Sequence, residues 1–402
     1  MVAWDNKRGM AFSVLCWAGL PKDILDLILD HIIQFSDYIR FCSVCKSWRS
    51  VGLEDNNYHH LHIQRLRILK ACRSRLPMLM IPPTINNKEN QSFYSVTDGV
   101  ILDLQLPMSF NRRCFGSSHG WLFTMEKPMV IVLLNPFSGR TIHLPELKDP
   151  ETVYQFWVDK DDHEYFVSKG ILSSDPCRDV DNYEVVVIYS DNRKLASFKS
   201  GDETWQFFNL TKGYFFSDII YYEGQLHAIN NFGGLMHIDT ISGAGKIIIK
   251  PTRRMECRMT YLVKSYERDL LMVQKFMEEN EHDDMHYKAS DFKIFRMVHS
   301  TQMRTPSWVE INSIGDQALF VGNNYSLTVS TSDFSGCSSN CIYYTDHYLA
   351  ITGHYVPHGP DDDTGIFNLR DRSFGSHYIA DREHLIPPIW IVPNLKDDTQ
   401  PI

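Results

Sequence analysis

Nowhere in the 402 residues does the sequence approach the ~20 consecutive apolar residues that a membrane-crossing helix needs, so no membrane association is expected. A basic excess is missing too. The formal net charge is −9, whereas a surface built to hold phosphates normally shows surplus Lys and Arg, so nucleic acid is not expected as the main partner. The nine cysteines are scattered and odd in number, which argues against a secreted disulfide framework and for a reducing compartment, cytoplasmic or nuclear. One signal-like stretch, Met10 to Ala18 behind Lys7 and Arg8, is short, contains Ser13, Cys16 and Trp17, and runs straight into a helix start. Residues 1–16 are therefore read as a tail rather than a leader.

Motifs that would carry catalysis or metal binding are equally thin. Gly233–Gly234 and Gly243 with Gly245 lack the Lys-Ser/Thr of a phosphate loop and read as turn glycines. The stretch Gly116 to Gly120 has no strand–turn–helix setting for a nucleophile, and Ser117, Ser118 and His119 read as the turn into Trp121. Cys42 and Cys45 have no second cysteine pair at zinc spacing. Cys337 and Cys341, followed by His347, His354 and His358, have the right residue types, yet Cys341 falls in an apolar strand pattern. No catalytic residue, metal site or cofactor is assigned.

What is present begins near residue 20. Pro21 suits a first helical turn, and Asp23 is favourable near the positive end of the helix dipole. Leu25, Ile28, Leu29 and Ile32 follow the i, i+3, i+4, i+7 rule of an amphipathic helix, and Phe41, Val44, Cys45 and Trp48 repeat it behind possible caps at Ser36 and Asp37. Two helices are too few to enclose a core, so the rest of the chain or a partner is expected to cover them. Residues 61–75 read as a connecting helix with a basic outer face.

From residue 76 onward the sequence is a succession of short apolar runs broken by turn residues, such as Trp121–Met125, Val130–Leu134, Glu184–Tyr189, Leu226–Ile229 and Cys341–Tyr344. This is the pattern of an all-β domain. Gly120-Trp-Leu-Phe recurs as Gly224-Gln-Leu-His, and the turn Asn135-Pro-Phe-Ser-Gly recurs as Asp239-Thr-Ile-Ser-Gly, both about 104 residues on. Half that offset, about 52, is the length of a kelch-type propeller blade, and residues 76–402 hold about six such units. A two-sheet sandwich is the alternative. Cys341–Asp346 and Gly365–Leu369 are expected to pair as a further hairpin, Trp157, Trp205 and Trp308 as repeated blade-core residues, and the acidic run Glu278–Asp284 as a solvated loop.

The N-terminal run Leu20, Pro21, Asp23, Ile24, Leu25, Ile28, Leu29, then Val44, Cys45, Lys46, Trp48, Arg49 resembles the F-box, the adaptor-binding module of SCF-type cullin–RING ubiquitin ligases. Phrases such as Ser117-Ser-His-Gly-Trp-Leu, Leu134-Asn-Pro-Phe-Ser-Gly, Leu144-Pro145, Gly201-Asp with Trp205, and Asn340-Cys-Ile-Tyr-Tyr-Thr-Asp resemble the KIB-type, kelch-like propeller of plant F-box proteins. The resemblance implies a small all-α F-box domain over 17–60 and a β-propeller of about six blades over 76–402. It implies a Skp-type adaptor as partner, held through Leu20, Pro21, Ile24, Leu25, Ile28, Leu29, Val44, Cys45 and Trp48, with a client protein on the propeller. The alternatives are a propeller-class enzyme with an acid/base or metal site in its channel, and an adaptor-bound regulator that degrades nothing.

Overall fold

The computed structural model describes residues 17–31, 41, 44–53, 77–81, 91–97, 99–104, 113–136, 140–150, 163–210, 214–252, 259–280, 283–299, 305–334, 336–346, 363–377 and 388–392. The chain divides into two units, Met1–Ser74 and Arg75–Ile402. The expected tail over 1–16 and connecting helix over 61–75 lie outside the described residues.

In the first unit, Lys22–His31 forms α1 and Lys46–Leu53 forms α2. Pro21 opens α1, its carbonyl accepting from the N–H groups of Ile24 and Leu25 at 3.1 and 3.2 Å. The second apolar pattern is split rather than continuous. Phe41 and Val44 are helical, Cys45 is not, and its carbonyl accepts the first bond of α2 from Arg49 N–H at 2.9 Å. The apolar face survives the break: the Phe41 ring lies 4.6 Å from that of Trp48, whose indole N–H donates to the Trp17 carbonyl at 2.8 Å.

The second unit is a six-bladed β-propeller. Blades two to six occupy residues 116–146, 167–207, 216–249, 259–311 and 317–375, and blade one combines 78–104 with 389–391. Gly116–Ser118, Val167–Leu172, Phe216–Tyr222, Met259–Lys264, Leu327–Ser330 and Ile389–Ile391 are the innermost strands around the channel. Four of them, starting at Gly116, Val167, Phe216 and Met259, succeed one another at intervals of 51, 49 and 43 residues, about the period of one blade. The repeat in the sequence is physical. His119–Gly120 and Glu223–Gly224 are two-residue turns, all four with φ between 51° and 80°, joining inner to second strands in blades two and four. Two positive-φ residues in a two-residue hairpin match the strand twist, and glycine takes the second position without steric cost.

Blades pack face to face, so their strands are buried on both sides and read as near-continuous apolar runs; every residue of Glu184–Tyr189 is buried. The core consequently lies between blades. Trp121, Phe123 and Leu133 of blade two meet Phe166, Val185, Val187 and Tyr189 of blade three. Gly116 and Gly170 let the inner strands of these blades close on Phe123. A Cβ on Gly116 would stand 2.4 Å from the Gly170 carbonyl oxygen and 2.9 Å from the Phe123 ring. Gly116→Ala is therefore expected to destabilise the propeller by about 1–3 kcal/mol through overpacking, measured by chemical denaturation.

Trp205 and Trp308 do bind neighbouring blades together, their indole N–H groups donating to the carbonyls of Pro145 and Gly233, each at 2.8 Å. Trp157 lies outside the described residues. Cys341–Asp346 pairs with Asp363–Asn368 as expected, but it also runs parallel to Gln317–Gly322, the parallel pairing of blade six. Among its described residues the acidic run is strand rather than loop. Leu270–Asn280 and Asp283–Val298 pair through it, with Glu278 opposite Lys288 and Asn280 opposite Asp283. Backbone pairing continues there past the end of the apolar pattern, supported by opposite charges across the strands.

The ring closes through Ile389–Ile391, which pairs with Met78–Ile81. Trp390 is fully buried, and its indole N–H donates to the Val321 carbonyl of blade six at 3.0 Å. Asn324 returns the link, donating from its amide to the Trp390 carbonyl at 2.8 Å.

Candidate functional site

The helical unit sorts eight of the nine sequence-derived docking residues into three groups. Leu25 and Trp48 are interior, packed with Phe41. Leu20, Ile28 and Cys45 lie half-buried against them, and Pro21, Ile24 and Val44 are exposed. The Leu29 side chain lies outside the described residues. Two further apolar side chains stand in solvent, Trp17 at 70% exposure and Leu27 at 54%, beside Ile24 at 42% and Val44 at 52%. The periodicity rule missed Leu27 because it selects the face that packs inward, and an outward apolar residue breaks the pattern. The signal available was the residue itself, an uncompensated Leu on the polar side of an amphipathic helix.

In the propeller, polar side chains of neighbouring inner strands are linked across the channel wall. Lys169, on the inner strand of blade three, pairs with Asp218 on that of blade four. Asp218 also accepts from the N–H groups of Ile219 and, in blade five, Leu262, both at 2.7 Å. Burial raises the Asp218 carboxyl above its ordinary value and outweighs Lys169 and the backbone donors, which pull the other way. Towards one mouth of the channel, Glu184 Oε2 accepts from the Tyr221 hydroxyl at 2.9 Å and the Thr240 hydroxyl at 3.0 Å. Burial, and then Glu184 itself, raise the Tyr221 phenol, which keeps its O–H as a donor.

Gly116–Gly120 does carry the spacing Gly-x-Ser-x-Gly, but its setting is strand–turn–strand. Ser117 and Ser118 belong to the inner strand, only His119 and Gly120 form the turn, and the Ser118 hydroxyl accepts from Leu172 N–H at 3.2 Å. Burial lowers the neighbouring His119 imidazole below its ordinary value. Cys337 and Cys341 are buried free thiols, the first pushed up to about 11 by burial. His347, His354 and His358 fall outside the described residues, and among the described residues no three His, Cys, Asp or Glu converge on a point suited to a metal ion.

Set beside known proteins, residues 93–368 match the family described as the KIB1-4 beta-propeller, and residues 17–64 match the F-box-like family. F-box protein SKIP23 of Arabidopsis thaliana is 25% identical over 392 residues, covering 88% of this chain and 89% of its own. F-box protein At4g35733 of the same plant is 24% identical over 397 residues, covering 93% and 98%. Among solved structures, the β-propeller domain of Myceliophteria thermophila Cps50 (Swd1) has 9% identity and a TM-score of 0.34 over 73% of this chain and 84% of its own.

Proposed function

The chain belongs to the KIB1-4 beta-propeller family of plant F-box proteins, and we propose that it is the non-catalytic substrate receptor of an SCF-type cullin–RING ubiquitin ligase. The observation that carries this reading is the exposed apolar set on the helical unit: Trp17, Ile24, Leu27 and Val44. Each Leu or Ile side chain moved from water into a partner's groove contributes roughly 1.5–3 kcal/mol, enough in sum to outweigh the cost of association. In this reading the adaptor covers that set, and Leu25, Phe41 and Trp48 hold the helices in place beneath it. The propeller presents a client. The chain's contribution to the chemistry is then tethering, which raises the client's effective concentration at the transferase supplied by other subunits.

The test is co-purification with a Skp-type adaptor, comparing the full chain with one lacking residues 17–50. Adaptor recovered only with the intact chain supports the receptor. Adaptor recovered with neither, from a folded propeller, refutes it. Point variants separate contact from fold. Ile24→Asp and Leu27→Asp are each expected to weaken adaptor binding by more than about tenfold with an unchanged melting temperature. Leu25→Asp is expected to unfold the helical unit by burying an unpaired charge, and Asp26→Ala to change neither property. Equal adaptor affinity across Ile24→Asp, Leu27→Asp and wild type would sink the docking face.

A further inference from the structure

The channel has a second mouth, on the face opposite the turns His119–Gly120 and Glu223–Gly224. Arg193 lies there in the turn from the second to the third strand of blade three, and Asn231 in the same turn of blade four. Between these turns and the inner strands of blades three, four and five is a narrow pocket of about 20 Å³. Lys169 and Arg193 line it with the neutral polar residues Ser168, Ser217, Thr260 and Asn323, and among the described residues no carboxylate does. Beside it, blade four holds two phenylalanines partly out in solvent. Phe215 stands just ahead of the inner strand and Phe232 next to Asn231, at 49 and 48% exposure.

Each of the two cations has reason to take an anion. The Lys169 side chain is 7% exposed, and its ammonium carries three donors, of which Asp218 engages one. Burial lowers the Arg193 guanidinium from its ordinary value, so its charge is held at a cost that an anion beside it offsets. The pocket-lining residues and Asp218 together carry one positive charge in excess. Hydroxyl and amide groups around them add donors without adding negative charge. Size then selects the anion. About 20 Å³ holds one or two groups the size of a water molecule, which admits the two oxygens of a carboxylate and excludes a phosphoryl group with three oxygens and an ester link.

We propose that this mouth of the channel receives the carboxylate of an acidic side chain from a client segment, taken by Lys169 and Arg193, with apolar residues flanking that side chain laid on Phe215 and Phe232. The assignment rests on the receptor reading for the word client and deepens it by naming the chemistry that selects one.

The probe is a labelled nonapeptide, Gly-Gly-Ser-Leu-Glu-Leu-Ser-Gly-Gly, titrated by fluorescence anisotropy into the full chain, beside the same peptide with glutamine or phosphoserine for glutamate. Glutamine keeps the shape and removes the charge. Binding of the glutamate peptide at least about tenfold tighter than the glutamine peptide is expected, and Arg193→Gln should cut that preference to about twofold or less. Phe232→Ser should weaken both peptides about equally. If Arg193→Gln lowers the melting temperature, the double variant Lys169→Met with Asp218→Asn replaces it, removing the ammonium and its carboxylate together, with the same loss of preference expected. Equal binding of the two peptides, binding of neither, or a glutamate preference untouched by both sets of variants overturns the assignment. A phosphoserine peptide that binds tighter than the glutamate peptide overturns the choice of anion. Self-association of the full chain in sedimentation velocity, lost in Arg193→Gln, would give the pocket to the acidic run of a second copy and overturn the client. Adaptor co-purification on the same preparations keeps the two readings apart. Lost adaptor with a retained glutamate preference sinks the receptor alone, and retained adaptor without that preference sinks the pocket assignment alone.

Discussion

Asp218→Ala is expected to lower the stability of the propeller by about 3–5 kcal/mol, read from the shift in denaturation midpoint at constant slope. One carboxylate here joins three consecutive inner strands: it sits on blade four, takes the Lys169 ammonium from blade three, and accepts Leu262 N–H from blade five. Because burial raises its carboxyl despite these partners, the pair is no large net source of stability. Removing one member is another matter, for it leaves a 5%-exposed lysine charged and alone and a buried N–H without an acceptor. The double variant Lys169→Met with Asp218→Asn is expected to recover more than half of the loss, since Asn still offers an oxygen to Leu262 and no ammonium remains. A single variant as stable as wild type would show that the inner strands do not depend on this link.

Acidification is expected to loosen the seam between blades six and one. His377 packs there against Tyr343, Trp390 and Tyr94, with ring centroids 5.7, 5.6 and 6.1 Å away. Burial pushes its imidazole down to about 4, against a smaller raising effect from the Tyr344 backbone. The unfolded chain takes up this proton near pH 6.5, the folded chain only near 4. Between those values the unfolded state binds more protons, so stability is fully present above about pH 6.5 and falls with pH, by roughly 3 kcal/mol at pH 4. Burial moves His119 and His227 in the same direction. His377→Phe keeps an aromatic ring and has nothing to titrate, so its urea midpoint should fall less steeply from pH 7 to pH 4 than that of wild type. Parallel curves would remove His377 as the cause.

Both results bear on features that the sequence does not display. The propeller itself was legible because its hairpins are local: a Gly after a turn residue, an apolar run and a second turn come back after two blades, and twisted strands require those residues wherever they recur. Blade three hid its share of the repeat behind residues 173–183, which separate its first two strands. The parallel pairing of blade six and the closing strand Ile389–Ile391 were not readable, since three apolar residues carry no strand period and their partner is more than 300 positions away. In the helical unit the amphipathic stripe runs through Leu25 and Trp48, which pack inward on Phe41. Periodicity cannot say whether an anchor meets a partner or its own fold, and neighbours as close as Ile24 and Leu25 end up on opposite sides of that division.

Ring closure by residues 389–391 also sets the order of events during synthesis. Chains emerge from the ribosome N-terminus first, so the N-terminal helices and five blades are exposed before the strand that completes blade one exists outside the exit tunnel. Until then Met78–Ile81 is an open strand edge, the kind of surface that recruits chaperones or other chains. A product truncated before Ile389 would keep every helix residue discussed above and lack a finished ring. Completion of the ring is thereby tied to a strand made more than 300 residues after its pairing partner.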